Sequence, residues 1–165
     1  MSELVNDHEA DLEAVADVLD KARIAMVTTL DSDGALLSRP LAVLDRPFDG
    51  DLYFFTQDPS GKTQQVRNED RVNVSAEGNG NYVSIAGTAT ISKDAALIDE
   101  LWNVHAEAWF DAGRDDPSVA LLKVHADSAE VWSTDGLKVV SAVKYAKAMI
   151  TKEQPDVGES TKVEL

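Results

Sequence analysis

Ile24-Ala25-Met26-Val27-Thr28-Thr29-Leu30, then Asp31-Ser32-Asp33-Gly34, then Leu36 to Leu44, is the stretch whose reading decides the fold. Its first part is apolar and β-branched, the composition of a strand, and the Asp and Gly cluster that follows is turn chemistry. Two antiparallel strands joined by a hairpin are expected. In the second strand Leu37, Arg39, Leu41 and Val43 share one side by the two-residue period, which sets an arginine in an apolar row. An arginine there needs an anion. Pro40 offers no backbone donor, so its position must lie at an edge or a bulge.

Outward from this hairpin the same grammar continues. Asp45-Arg46-Pro47-Phe48-Asp49-Gly50 is a second turn, leading into the aromatic strand Asp51 to Thr56, and Gly61 to Asn68 reads as a short helix. Arg71 to Glu77 alternates as a fourth strand, and the Gly and Asn cluster from Gly78 to Asn81 turns the chain into a fifth, Tyr82 to Ile91. In that strand Val83, Ile85, Ala89 and Ile91 face one way, and Tyr82, Ser84, Thr88 and Thr90 the other. Ala120 to Ala126 and Ala129 to Trp132 are expected as the last two strands of the sheet. Leu12, Val15, Ala16 and Leu19 fall on one face of a first helix, about Glu9 to Lys21. Ser92 offers an N-cap to a second long helix with Ile98, Leu101, Trp102 and His105 on one face. Val139, Ala142, Val143, Ala146 and Ile150 repeat at helical spacing. The polar tail from Thr151 has only Lys162 to Leu165 to suggest order.

Hairpin-connected strands with helices inserted between them favour a small, mainly β antiparallel barrel of about six strands with flanking helices over a doubly wound parallel sheet. No Gly-x-Gly-x-x-Gly follows the first strand, so a Rossmann cofactor site has no support. The chain has 165 residues and 44% hydrophobic content, enough for one well-buried domain, expected over 9–150 with 151–165 as a C-terminal tail. Lys plus Arg number 15 against 30 Asp plus Glu, a net charge of −15. A field of that sign repels nucleic acid, and it makes each basic residue more informative. The absence of cysteine removes disulfides, thiolate metal sites and cysteine nucleophiles. His8, His105 and His125 show no ligand spacing. Neither a signal peptide nor a membrane-spanning run is visible, and a cytoplasmic protein is expected.

The aromatic strand runs off into a second informative segment, Phe54-Phe55-Thr56-Gln57-Asp58-Pro59-Ser60-Gly61-Lys62. Its Asp-Pro-Ser-Gly-Lys turn can open a helix with Ser60 as N-cap and Lys62 in the first turn. Backbone N–H groups, a hydroxyl and an ammonium would converge there, which is what a phosphate asks for. Each residue also has a plainer reading. Arg39 can be an edge arginine paired with one of the many acids. Ser60 and Lys62 can be an ordinary helix start with a solvated lysine. Trp102, Phe54 and Trp132 are expected in the core, His105 at its edge, and Trp109 and Phe110, flanked by acidic loop, at an interface or over a ring.

The ordered set Ser38-Arg39-Pro40-Leu41, Leu52-Tyr53-Phe54-Phe55-Thr56, Ser60-Gly61-Lys62, Tyr82 to Gly87, Leu101-Trp102, Trp109-Phe110 with Gly113 and Asp116-Pro117, and Ala129-Glu130-Val131-Trp132 resembles the general stress protein 26-like branch of the pyridoxamine 5′-phosphate oxidase-like, FMN-binding split barrels. The match covers roughly Leu12 to Trp132, and although each motif is weak alone, the order is fairly specific. The resemblance implies a six-stranded split-barrel homodimer with FMN at the subunit interface. It implies that Arg39, with Pro40 and Leu41 beside it, and Lys62 hold the flavin phosphate, Ser60 supplies a hydroxyl, Phe55 and Thr56 run along the flavin, and Trp109 from the partner covers the ring. Two basic residues of the oxidase motif are replaced, by Leu44 and Gly61. Nothing after Trp132 supplies the Arg-x-His element that oxidases use for the substrate phosphate, so vitamin B6 oxidation is not expected.

The function this implies is a flavin-dependent oxidoreductase moving hydride or electrons between FMN and a small redox substrate, with NAD(P)H as a candidate donor. No side chain stands out as the proton donor. The competing readings are a non-catalytic FMN store or sensor, and a split barrel that holds F420 or haem.

Overall fold

The computed structural model describes residues 2–133 and 159–164. Strands β1 (Ile24–Leu30) and β2 (Leu36–Ala42) form the expected hairpin. Its turn is closed by Asp31, whose Oδ1 accepts from the backbone N–H of Asp33 and Ala35, and by Gly34 at φ +80°, a conformation that favours glycine. β3 (Asp51–Gln57), β4 (Arg71–Gly78), β5 (Asn81–Ser92) and β6 (Val119–Ser133) complete an antiparallel sheet in the order β2-β1-β4-β5-β6-β3. β2 and β3 approach each other at its two ends, so the sheet curls into a half-barrel. Pro40 sits on the edge strand β2, opposite Met26, where its missing N–H costs no ladder bond toward a further strand.

The two expected C-terminal strands are one. β6 runs unbroken for 15 residues because Asp127-Ser128, left between the two expected strands, is a bulge: Ser128 faces Ala86 and Ala126 faces Gly87, leaving Asp127 as the extra residue. Gly87 is required at this step, since a Cβ there would overlap the His125 carbonyl. Past the bulge the far edge of β6 is taken by β7 (Glu159–Glu164), so residues that read as tail join the sheet. The helical pattern from Val139 to Ile150 lies outside the described residues.

The concave face is filled by the helix α1 (Ser2–Lys21), whose Val15, Val18 and Leu19 pack on Val27, Phe54, Val74, Ile85, Leu122 and Val124. The helix starts upstream of the expected Glu9. A second, smaller core of Leu44, Ile98, Phe110, Val119 and Leu121 lies under two short helices, α3 (Ala95–Leu101) and α4 (Val104–Trp109). The sequence pattern suggested one long helix capped by Ser92. Asp94 is the actual cap of α3, and Asn103 breaks the run by accepting from the N–H of His105 and Ala106 to cap α4. Three side chains therefore change place. Phe110, expected at an interface or over a ring, is buried, because α4 ends just before it and turns it inward. His105 is exposed on α4 instead of lining a core edge. Trp132 is 37% exposed, on the opposite face of β6 from buried Val131, and pairs across the strands with the exposed Tyr82.

Candidate functional site

Between β1, β2 and α2 (Gly61–Asn68) two cations meet under partial burial. β1 and β2 are in register with Val27 opposite Arg39, which turns the arginine toward the inner face beside Thr29. Arg39 Nη1 donates to Thr29 Oγ1 at 2.6 Å and to the Val27 carbonyl at 3.3 Å, and Nη2 donates to Gln65 Oε1 at 3.0 Å. Thr29, fully buried, donates in turn to the same Gln65 Oε1 at 2.7 Å. Burial lowers the pKa of Arg39 from its ordinary value.

Lys62 reaches the site from the first turn of α2, where its Nζ donates to Thr56 Oγ1 at 2.5 Å. Burial and then the nearby charge of Arg39 lower its pKa. The helix begins as the sequence predicts, with Ser60 as N-cap in a reciprocal capping box with Thr63. Its approach is fixed by Asp58, which is 7% exposed and accepts two hydrogen bonds from Arg67, at 2.7 and 2.8 Å, with Lys93 Nζ at 3.7 Å. That fork holds the Asp58 carboxyl well below the usual carboxylate range.

The partners define the chemistry. Among the described residues Arg46, Arg67, Arg71, Lys93, Arg114 and Lys123 each pair with a carboxylate. Arg39 and Lys62 do not, nor do Lys21 and Arg23; but Lys21 and Arg23 are solvent-exposed, whereas Arg39 and Lys62 are half-buried and held by neutral oxygens. Two half-buried like charges aimed by hydrogen bonds, with no carboxylate partner among the described residues, make a candidate site for an anion. It is distinct from the shallow pocket lined by Leu19, Val43, Arg46, Phe48 and Tyr53, which shares no residue with the cluster.

The predicted site residues divide accordingly. Arg39, Lys62 and Thr56 are joined by charge and hydrogen bonds, with Ser60 opening the helix that brings Lys62. Phe55 points to the other face of β3, with its ring edge-on to Trp102 at 5.4 Å. Leu41 packs on the main core, Pro40 is exposed on the edge strand, and Trp109 stands 78% exposed at the end of α4. Sequence reasoning missed Thr29 and Gln65. Gln65 had a signal, since three residues after Lys62 it shares a helix face with it.

A curled antiparallel half-barrel with two cations gathered at the start of its short inserted helix has the architecture of a split barrel. The chain belongs to the pyridoxamine 5′-phosphate oxidase-like family, whose model matches residues 10–156. It is 31% identical over 125 residues to general stress protein 26 of Bacillus subtilis, covering 72% of this chain and 86% of that one. Among solved structures, a general stress protein 26 candidate from Jannaschia sp. CCS1 superposes with a TM-score of 0.70 at 31% identity, over 94% of this chain and 99% of that one. The general stress FMN/FAD binding protein of Xanthomonas citri superposes with a TM-score of 0.62 at 30% identity, over 76% and 87%. No described helix is long and apolar enough to cross a membrane.

Proposed function

We propose that this chain binds FMN by its phosphate, at the interface of a homodimer, and serves as a flavin-dependent oxidoreductase for a small redox substrate, with NAD(P)H as the candidate donor. The observation that carries the reading is the pair Arg39 and Lys62, half-buried and without a carboxylate partner among the described residues. A phosphate monoester matches that pair in charge, and the donors that remain on the guanidinium and ammonium match its oxygens. The Xanthomonas relative, described as FMN/FAD binding, supports a flavin as the owner of the phosphate.

When bound, FMN supplies reversible hydride or electron transfer through its isoalloxazine. The chain's own residues do the rest: Arg39 and Lys62 anchor the tail, Thr56 steadies Lys62, and the N-terminus of α2 adds backbone N–H groups to the same field. Support for the dimer comes from the outer face of the hairpin, where Ile24, Met26 and Leu36 are exposed at 51%, 40% and 72%. Apolar side chains gathered on one surface call for a cover. Trp109, exposed on the single chain, is suited to reach a partner's site.

The test is the visible spectrum of the purified protein, followed by titration with FMN and riboflavin. Flavin bands approaching one FMN per chain, with riboflavin bound much more weakly, support the reading. A Soret band, or no chromophore after adding FMN, overturns it. Reduction of the bound flavin by NADH or NADPH tests the enzyme; failure with every common donor favours a store or sensor of FMN.

A further inference from the structure

The group that aims the half-buried Arg39 is a carboxamide, where four other arginines of the chain pair with carboxylates. Gln65 Oε1 accepts from Arg39 Nη2 at 3.0 Å and from Thr29 Oγ1 at 2.7 Å, and Thr29 Oγ1 accepts from Arg39 Nη1 at 2.6 Å, closing a three-membered ring of hydrogen bonds. Arg46, Arg67, Arg71 and Arg114 end on Asp49, Asp58, Glu69 and Asp99. A glutamate at position 65 would have the same length and shape and would make the stronger bond to a guanidinium. It would also cancel the charge.

We propose that Gln65 is the positioning residue of this anion site, and that its neutrality sets the specificity of the site for a doubly charged phosphate tail. The carboxamide oxygen fixes the guanidinium plane through Nη2, while Thr29, itself oriented by Gln65, fixes it through Nη1. The pair Arg39 and Lys62 therefore presents two whole positive charges to a ligand, where an acidic acceptor at the same place would leave one. The fold gives up the stronger ion pair, and the repulsion between the two cations, which adds to burial in lowering the Lys62 pKa, is retained until an anion arrives. This inference rests on the phosphate reading of the site.

The experiment uses the full chain and the variants Gln65→Glu and Gln65→Met, each titrated with FMN and with riboflavin, with thermal unfolding of the ligand-free proteins as a control. Gln65→Glu is expected to weaken FMN about tenfold or more, since it places a negative charge beside the phosphate in a half-buried site, and to leave riboflavin unchanged. Its unfolding temperature should hold or rise, because the introduced carboxylate pairs with Arg39. Gln65→Met removes the acceptor without changing the charge, so it should weaken FMN by less than Gln65→Glu does. FMN binding by Gln65→Glu within twofold of the parent overturns the proposal. So does a parallel loss of FMN and riboflavin, which marks a merely structural role, or a loss in Gln65→Met equal to that in Gln65→Glu. Failure of the phosphate reading itself looks different: the parent protein would then show no preference for FMN over riboflavin, and both inferences would fall together.

Discussion

Replacing Arg39 by alanine separates a binding role from a structural one. In the fold Arg39 donates to Thr29, Val27 and Gln65, but none of these partners depends on it. Thr29, the fully buried one, keeps its own donor bond to Gln65, so no buried hydroxyl is orphaned. Arg39 is also a source of repulsion for Lys62, and its removal relieves that. The expected change in stability of the ligand-free protein is therefore small, within about 1 kcal/mol. Binding should respond differently. A hydrogen bond to a charged group is worth about 1.5–3 kcal/mol, which at about 1.4 kcal/mol per decade is about a tenfold to hundredfold loss in FMN affinity. Riboflavin, which lacks the phosphate, should bind Arg39→Ala as it binds the parent. Quenching of flavin fluorescence measures both ligands, and urea unfolding of the ligand-free chain measures the fold. An unchanged FMN affinity, or an equal loss for riboflavin, refutes the assignment of Arg39 to a phosphate.

Three further perturbations bear on the same region. A Cβ on Gly61 would meet nothing within 4 Å, so Gly61→Lys fits without strain and adds a third cation at the helix start; FMN affinity should rise by up to about 1 kcal/mol, riboflavin should not change, and an FMN affinity that stays level or falls in the titration counts against the site. Lys62 has a folded pKa below its ordinary 10.5, so between the two values the unfolded chain binds more protons; ligand-free stability should rise with pH through that window while FMN binding falls, and urea titrations should show the rise missing from Lys62→Met. Asp58 has a folded pKa below its ordinary 3.8, so its pairing with Arg67 stabilises the fold above that value and is lost as pH falls toward the lowered one. Asp58→Asn should destabilise at neutral pH, with the gap to the parent closing in acid; a gap independent of pH in the unfolding curves would show that the charge of Asp58 is not what holds the turn.

How much of this was legible depended on how far apart in sequence the partners lie. Arg39 was visible because a two-residue period is local, and Ser60 with Lys62 because a cap and a first turn are local. The ring that aims Arg39 was not, since Thr29 and Gln65 are 36 residues apart and meet only once α2 lies against β1. The bulge at Asp127 hid a long strand behind turn-like residues, and only pairing with Ala86 and Gly87 shows that the chain carries on. Asn103 was a readable cap, but apolar spacing ran through it and suggested one helix. Phe110 looked like a loop aromatic because the end of α4, which turns it into the smaller core, is a tertiary fact. Exposure of Trp132, by contrast, followed from alternation with Val131 and was available to a stricter reading of the period.

The contrast with Arg67 explains why Lys62 on α2 and Arg39 on β2 read as a candidate site and Arg67 does not. Arg67 is on the same helix as Lys62, five residues on, and is spent on both oxygens of the Asp58 carboxylate. It anchors the turn that brings Ser60 and Lys62 into place, and its charge is already satisfied. Lys62 ends on a threonine hydroxyl and Arg39 on a threonine and a glutamine, acceptors that orient a cation and leave its charge free. Partial burial raises the cost of that arrangement, because water cannot fully screen two like charges held together. In a chain with 30 acidic residues a partner was easy to supply, and its absence at these two positions shifts the balance toward a ligand that carries the missing charge. A helix that pairs Arg67 to build its approach and leaves Lys62 on a hydroxyl suits the phosphate site proposed above, whatever is attached to the phosphate.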